Sequence, residues 1–283
     1  MRLASFCRPD RTLGFGVVVD GGIRDVGLRS GDRWASASEL ARDIEQCPPD
    51  WLVGEADFAQ SELELLSPSP FPKKIICVGL NYRSHIAETK RDMPIYPTLF
   101  PRYPDSVVGH LAPLVRPRES EQLDFEGELA VVIGRGGRRI CETDALRHIA
   151  GFTVFNDGSV RDFQYKTTQF LPGKCFWRSG SAGPFLVTPD EAGPVEGMRL
   201  ETRLNGEVVQ SAMVEDLVFS IGRIISEISV IMPLHTGDII ATGTPGGVGV
   251  YRAPPLFMKP GDFVEVEISG VGLLQNPVIS ETE

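Results

Sequence analysis

With 283 residues, 42% of them hydrophobic and 23% charged, the chain is long enough to bury one sizeable core and has the balance of an ordinary globular protein. A formal net charge of -10 argues against a polyanion partner, so neither nucleic acid nor an anionic membrane is an expected partner. Five cysteines, scattered and odd in number, argue against a disulfide framework; with no secretory leader and no apolar run near the ~20 residues that span a bilayer, a cytoplasmic location is expected.

The first element in the chain is a hairpin, because residues 12–27 alternate apolar and polar around Asp20-Gly21-Gly22. A short helix is predicted over 36–46, capped by Ser36 or Ser38 and stopped by Pro48-Pro49. The stretch LSPSPFPKK (66–74) carries three prolines and separates two parts, a small N-terminal α/β domain over 1–66 and a larger domain over 67–283. Beyond it, β-branched runs predict strands at 74–80, 128–134, 149–157 and 198–210, the last turning at Asn205-Gly206. A short helix is predicted over 142–151 from a Thr143 cap, with Leu146 and Ile149 facing inward. One long helix is predicted over 214–231, where Leu217, Ile221, Ile224, Ile225 and Ile228 recur at helical spacing. Gly-Asp turns at 237–238 and 261–262 each launch a further strand. The expected fold is mostly β (α+β): a mixed β-sandwich or β-roll with a few short helices and one longer one.

The run LDFEGELAVVIG (123–134) reads as a strand whose later half belongs in a core, yet Asp124, Glu126 and Glu128 share one of its faces. Neighbours on that face stand about 6.6 Å apart, and at an effective dielectric of 20 two carboxylates so placed repel by on the order of 2.5 kcal/mol. Either the acidic end lies in solvent, or a hard divalent cation sits among the carboxylates. A pair on one strand cannot complete such a site, and Asp157, closing the run GFTVFND, is the candidate for a third ligand; Asn156-Asp157-Gly158 is equally a good turn. Arg161 and Gln164 follow at a spacing that shares a helical face.

His85 and Glu88 also lie three apart. On a helical turn they touch, either as a surface pair or as an imidazole whose basicity is raised by a carboxylate, the arrangement of a general base. Lys174 follows a Pro-Gly turn, as an ordinary loop lysine or as a fixed charge beside an anion. The glycine-rich stretch 241–249 has neither phosphate-loop nor dinucleotide-site spacing, and neither a nucleophile elbow nor a zinc pattern is present.

Together GLNYRSHIAE (79–88), LDFEGELAVVIG, GFTVFNDGSVRDFQ (151–164), PGKCFW (172–177), LNGEVVQ (204–210) and IATGTPGGVG (240–249) resemble the fumarylacetoacetate hydrolase family in order and approximate spacing, from about Lys74 to Val278. The resemblance implies the rolled or sandwich-like mixed sheet of that family, a homodimer, and a site for Mg²⁺ or Mn²⁺, with Ca²⁺ as an alternative. Glu126, Glu128 and Asp157 match the metal ligands, His85 and Glu88 the water-activating dyad, and Lys174 the active-site lysine. Arg161, Gln164, Thr244 and Tyr82 fall at substrate-binding positions. Trp177, Gly158 and Arg102 depart from the commoner residues, which bears on substrate identity more than on the metal. The implied substrate is a small oxo acid. The implied reaction is hydrolysis of a C–C bond in an acylpyruvate-type 2,4-dioxo acid, resembling fumarylpyruvate or fumarylacetoacetate, through a metal-stabilised enolate in aromatic catabolism. The alternatives are isomerisation or decarboxylation of 2-oxo-diene (di)carboxylates at the same site, or metal-dependent oxo-acid binding without turnover.

Overall fold

Runs of Val, Ile and Phe that are apolar on both faces must be covered on both, and the chain achieves this by stacking elements on either side of a central sheet. The computed structural model describes residues 1–282. A mixed sheet of eleven strands runs, in spatial order, Gly22–Asp25, Leu13–Val19, Arg2–Cys7, Gly180–Val187, Ile149–Asn156, Gly127–Ile133, Ile239–Ala241, Ile75–Gly79 and Thr98–Arg102, with two short strands attached at its sides. A second sheet of five strands runs Glu207–Met213, Arg199–Leu204, Phe263–Ile268, Gly272–Ser280 and Leu114–Arg116. The protein is mostly β, as expected, with helices few and short.

The strand Gly127–Ile133 is buried along its whole length. On one face Leu129, Val131 and Ile133 pack with Leu200, Val266 and Leu274 of the second sheet and with Ile224, Ile225 and Ile228 of a helix. On the other, Ala130 and Val132 meet Leu3, Phe15, Trp34 and Leu40 from the N-terminal part. Each fully buried Leu or Ile contributes about 1.5–3 kcal/mol, so the two clusters set the strand's register against a one-residue slip.

The N-terminal hairpin forms as the alternation predicts, with Val19 opposite Gly22, and the helix Ala37–Arg42 is capped by Ser36, whose Oγ accepts the Glu39 N–H. The boundary drawn near residue 66 is not a break in hydrogen bonding: Arg2–Cys7 pairs with Gly180–Val187 in the central sheet. The Asn205-Gly206 turn has φ of 52° and 82° at its two central residues, the twist a two-residue hairpin needs.

Two helix predictions are corrected. The long helix spans Ile221–Ile231 and does not begin at 214. Val214–Asp216 forms a separate 3-10 turn; beyond it Val218 donates its N–H to the Asn81 carbonyl and Phe219 its N–H to Asn81 Oδ1, both at 2.8 Å, which keeps the turn apart from the helix that Ser220 caps through the Arg223 N–H. The segment Glu142–His148 is a 3-10 helix without a side-chain cap, and Ile149 already belongs to a strand. The His148 carbonyl accepts N–H groups of Gly134 and Arg135, so sheet pairing takes the group a longer helix would use, and Leu146 is left exposed.

Candidate active site

The acidic stretch is buried, and it is not one continuous strand. Leu123–Asp124 pairs with Ser159–Val160, Gly127–Ile133 belongs to the central sheet, and the chain turns between them at 125–126. This break separates the three acids: Glu126 and Glu128 converge with Asp157, whereas Asp124 points away to Arg161. Asp157 is drawn in by its own backbone, its N–H donating to the Glu126 carbonyl at 2.8 Å. One carboxylate oxygen from each of Glu126, Glu128 and Asp157 lies within 4.8 Å of the others, and all three residues are buried.

Cations surround two of these acids and leave the third unmatched. Lys174 Nζ bridges Glu126 Oε2 at 2.8 Å and Asp157 Oδ2 at 2.7 Å. Arg161 Nη1 lies 2.7 Å from Glu126 Oε1 and also donates to Gln164 Oε1 at 2.8 Å. Arg102 Nη1 donates to Asp157 Oδ1 at 2.6 Å, and its remaining nitrogens bond Ser106 and Ser179. Among the described residues Glu128 accepts only the Gly243 N–H, at 2.8 Å. Burial opposes ionisation of Glu126, but Lys174 and Arg161 outweigh it and bring its carboxyl down to about 2. For Glu128, burial and the charges of Asp157 and Glu126 act together and push the carboxyl well above the usual range. Burial opposes charge on Lys174 and Arg161 as well, yet the acids hold both higher than normal.

The helix Arg83–Thr89 carries the expected pair, His85 Nδ1 lying 3.2 Å from Glu88 Oε2. Glu88 is held from behind, since its Oε1 accepts the Gly247 N–H at 3.0 Å. The glycine-rich stretch 243–249 is therefore a backbone cradle that touches Glu128 through Gly243 and Glu88 through Gly247. Only Gly fits position 247, where φ is 98° and an added Cβ would stand 2.3 Å from the Val209 carbonyl.

These groups open on one small cavity of about 40 Å³. It is lined by His85, Glu126, Glu128, Arg161, Gln164, Lys174 and Thr244, so most of the residues singled out in the sequence meet there. Glu88 lies just behind His85, and Asp157 behind Lys174. Tyr82, placed in the sequence at a substrate position, does not line the cavity: it is fully buried at the helix N-terminus, bridged to Leu217, and its hydroxyl has no partner among the described residues. Sequence reasoning missed the hold of Arg102 on Asp157, the part of Asp124 as the anchor of Arg161, and Arg91, Tyr165 and Tyr251 on the cavity wall. The D-x-E-x-E spacing marked Asp124 as unusual, but nothing local signalled the others.

The donor set fits a hard divalent cation. Three carboxylate oxygens converge from buried side chains, and one carboxylate among them has no cation of its own, so a doubly charged ion there would offset an otherwise uncompensated charge. The structure thus defines a class of protein in which a mixed β-sheet core positions a carboxylate triad, a lysine and a His-Glu pair around one cleft.

The chain belongs to the fumarylacetoacetate hydrolase family: the family model described as fumarylacetoacetate (FAA) hydrolase C-terminal matches residues 74–279. It is 40% identical over 256 residues to the oxaloacetate tautomerase YisK of Bacillus subtilis (strain 168), an alignment covering 89% of this chain and 84% of that protein. It is similar in structure to the fumarylacetoacetate hydrolase of Exiguobacterium antarcticum, with a TM-score of 0.84, 35% identity, and coverage of 99% and 100% of the two chains. It also resembles maleylpyruvate hydrolase from Sphingobium sp. SYK-6, solved with manganese (II) and pyruvate, with a TM-score of 0.82, 28% identity and full coverage of both chains. The two hydrolases and the tautomerase carry out different reactions.

Proposed function

We propose that this chain is a divalent-cation-dependent enzyme that moves a proton within a small 2-oxo diacid, interconverting its keto and enol forms, with oxaloacetate as the favoured substrate. The observation that carries this reading is that His85, paired with Glu88, lines the same cavity as Glu126, Glu128 and Lys174. The likeness to an oxaloacetate tautomerase over 89% of the chain supports the same choice.

Glu126, Glu128 and Asp157 would hold the cation, Mg²⁺ or Mn²⁺ with Ca²⁺ as an alternative, and once bound it supplies Lewis-acid polarisation of a 2-oxo group. His85 lines the cavity with Nδ1 engaged by Glu88, so Nε2 would be the nitrogen that acts on the substrate. That nitrogen takes the proton from the carbon beside the 2-oxo group and returns one to oxygen, so the reaction balances without a co-reactant. Lys174 and Arg161 offset the negative charge that grows on the substrate oxygen, and Gln164 fixes the Arg161 fork. Thr244, whose hydroxyl donates to the Gly127 carbonyl and accepts from Gln210, closes the cavity wall.

A second reading, hydrolysis of an acylpyruvate C–C bond, is favoured by the same His85–Glu88 geometry, which can also take a proton from water. The two hydrolases among the structural relatives support it, and a role in aromatic catabolism belongs to this reading. Under either reading a homodimer in the cytoplasm is part of the proposal; no helix among the described residues is long and apolar enough to cross a membrane.

The deciding experiment mixes the Mg²⁺-supplemented protein with oxaloacetate and, separately, with a panel of acylpyruvates, following enol absorbance and pyruvate independently. Accelerated loss of the oxaloacetate enol without pyruvate supports tautomerisation. Pyruvate from oxaloacetate means decarboxylation, and pyruvate from an acylpyruvate means hydrolysis. An unchanged signal throughout overturns turnover and leaves an oxo-acid-binding protein.

A further inference from the structure

The cations around the cavity differ in how they are occupied. Lys174 is bonded to Glu126 and Asp157, Arg161 to Asp124, Glu126 and Gln164, and Arg102, which lies behind the wall, to Asp157, Gly158, Ser106 and Ser179. Arg91 also lines the cavity, but it is exposed and makes no hydrogen bond or ion pair among the described residues. Its position follows from the chain: the helix Arg83–Thr89 ends at Lys90 in the left-handed conformation, φ 55° and ψ 30°, and this turn brings the next residue to the rim of the site. Two further polar residues line the same cavity, Tyr165 and Tyr251, whose hydroxyls lie 3.4 Å apart across 86 residues of sequence.

A 2-oxo diacid brings one more negative charge into the cleft than a 2-oxo monoacid does. The inner cations are engaged with protein carboxylates, so a distal carboxylate needs a cation that is not. The guanidinium of Arg91 offers a planar pair of N–H donors matched to a carboxylate. We propose that Arg91 binds the distal carboxylate of the substrate, with Tyr165 and Tyr251 donating beside it, and so selects 2-oxo diacids over 2-oxo monoacids. This rests on the proposed oxo-acid reading and assigns the end of the substrate that lies farthest from the carboxylate triad.

Calorimetric titration of the Mg²⁺-loaded protein with oxaloacetate and with pyruvate tests it without relying on turnover. The native protein binds oxaloacetate more tightly than pyruvate. Arg91→Gln weakens oxaloacetate binding by about tenfold or more and leaves pyruvate binding unchanged, so the preference collapses; Arg91→Lys, which keeps the charge but loses the fork, falls between. Arg83→Gln, an exposed cation on the same helix that does not line the cavity, keeps the native preference. If the native protein discriminates and Arg91→Gln does so equally, the Arg91 assignment is overturned while the oxo-acid reading stands. If the native protein binds neither acid, both fall.

Discussion

Asp124 and Arg161 meet at 2.8 Å, carboxylate oxygen to Nε, with side chains 0% and 3% exposed. The same carboxylate accepts the N–H groups of Gly249 and Val250 at 2.8 and 2.9 Å. One acid outside the triad thus ties the cavity's arginine to the loop that carries Thr244 and Tyr251. Asp124→Ala takes one of two carboxylates from a buried guanidinium that keeps Glu126 and leaves two backbone donors without this partner, and a loss of about 1–3 kcal/mol is expected in urea denaturation. Asp124→Asn, which retains an acceptor for the loop, loses less. Equal stability of Asp124→Ala and the native protein would remove Asp124 from this role.

Glu126 and Glu128 act oppositely on stability as pH changes. Glu126, low in the folded state at about 2, contributes stability that is present above its unfolded value near 4.5 and is lost as pH falls towards 2. Glu128, raised in the folded state, costs stability as pH rises from 4.5 through its folded value. Metal-free Glu128→Gln is therefore expected to melt higher than the native protein at neutral pH and to lack that decline, while binding Mg²⁺ more weakly. Thermal melts across pH with and without Mg²⁺ measure both effects, and a metal-free variant that melts lower than the native protein at pH 7 contradicts this account.

Among the described residues His85 makes no hydrogen bond to the triad, its one side-chain partner being Glu88, so removing it separates proton transfer from metal binding. His85→Ala is expected to lower turnover by about a hundredfold to ten-thousandfold and to leave the calorimetric affinity for Mg²⁺ unchanged. A matching loss of metal affinity would mean that His85 serves as a ligand.

Gly247 links the backbone to the same pair. Gly247→Ala forces a side chain into a left-handed conformation against the Val209 carbonyl, which costs on the order of 1–3 kcal/mol and pulls the N–H away from Glu88. The expected result is a destabilised protein whose rate falls about as far as that of Glu88→Ala, and whose combination with Glu88→Ala gives no further loss of rate. Additive rate losses would separate the two residues.

Ser220 offers a test of the fold alone. Its hydroxyl accepts the Arg223 N–H at 3.1 Å and starts the helix Ile221–Ile231. Ser220→Ala is expected to cost about 1 kcal/mol in chemical denaturation with little change in metal affinity.

Legibility followed distance along the chain. Glu126 and Glu128 share a face because successive side chains alternate on extended backbone, and His85 reaches Glu88 because residues three apart are neighbours on a helix; both relations are local and were readable. The predicted 214–231 helix is longer than the observed Ile221–Ile231 for the converse reason. Its hydrophobic period runs on past the point where Asn81, 138 residues from Phe219, captures the backbone.

The amino-acid sequence by itself determined the strand-rich fold, the acids and the His-Glu pair, because propensity, periodicity and turn chemistry act between near neighbours. Only the tertiary structure decided that Asp124 leaves the triad, that Arg102 grips Asp157 from 55 residues away, and that Tyr82 is buried behind the cavity while Arg91 reaches it. Charge balance in a buried site depends on which groups the folded sheet brings within a few ångströms of one another, and that is set by strand order and register rather than by any short stretch of residues.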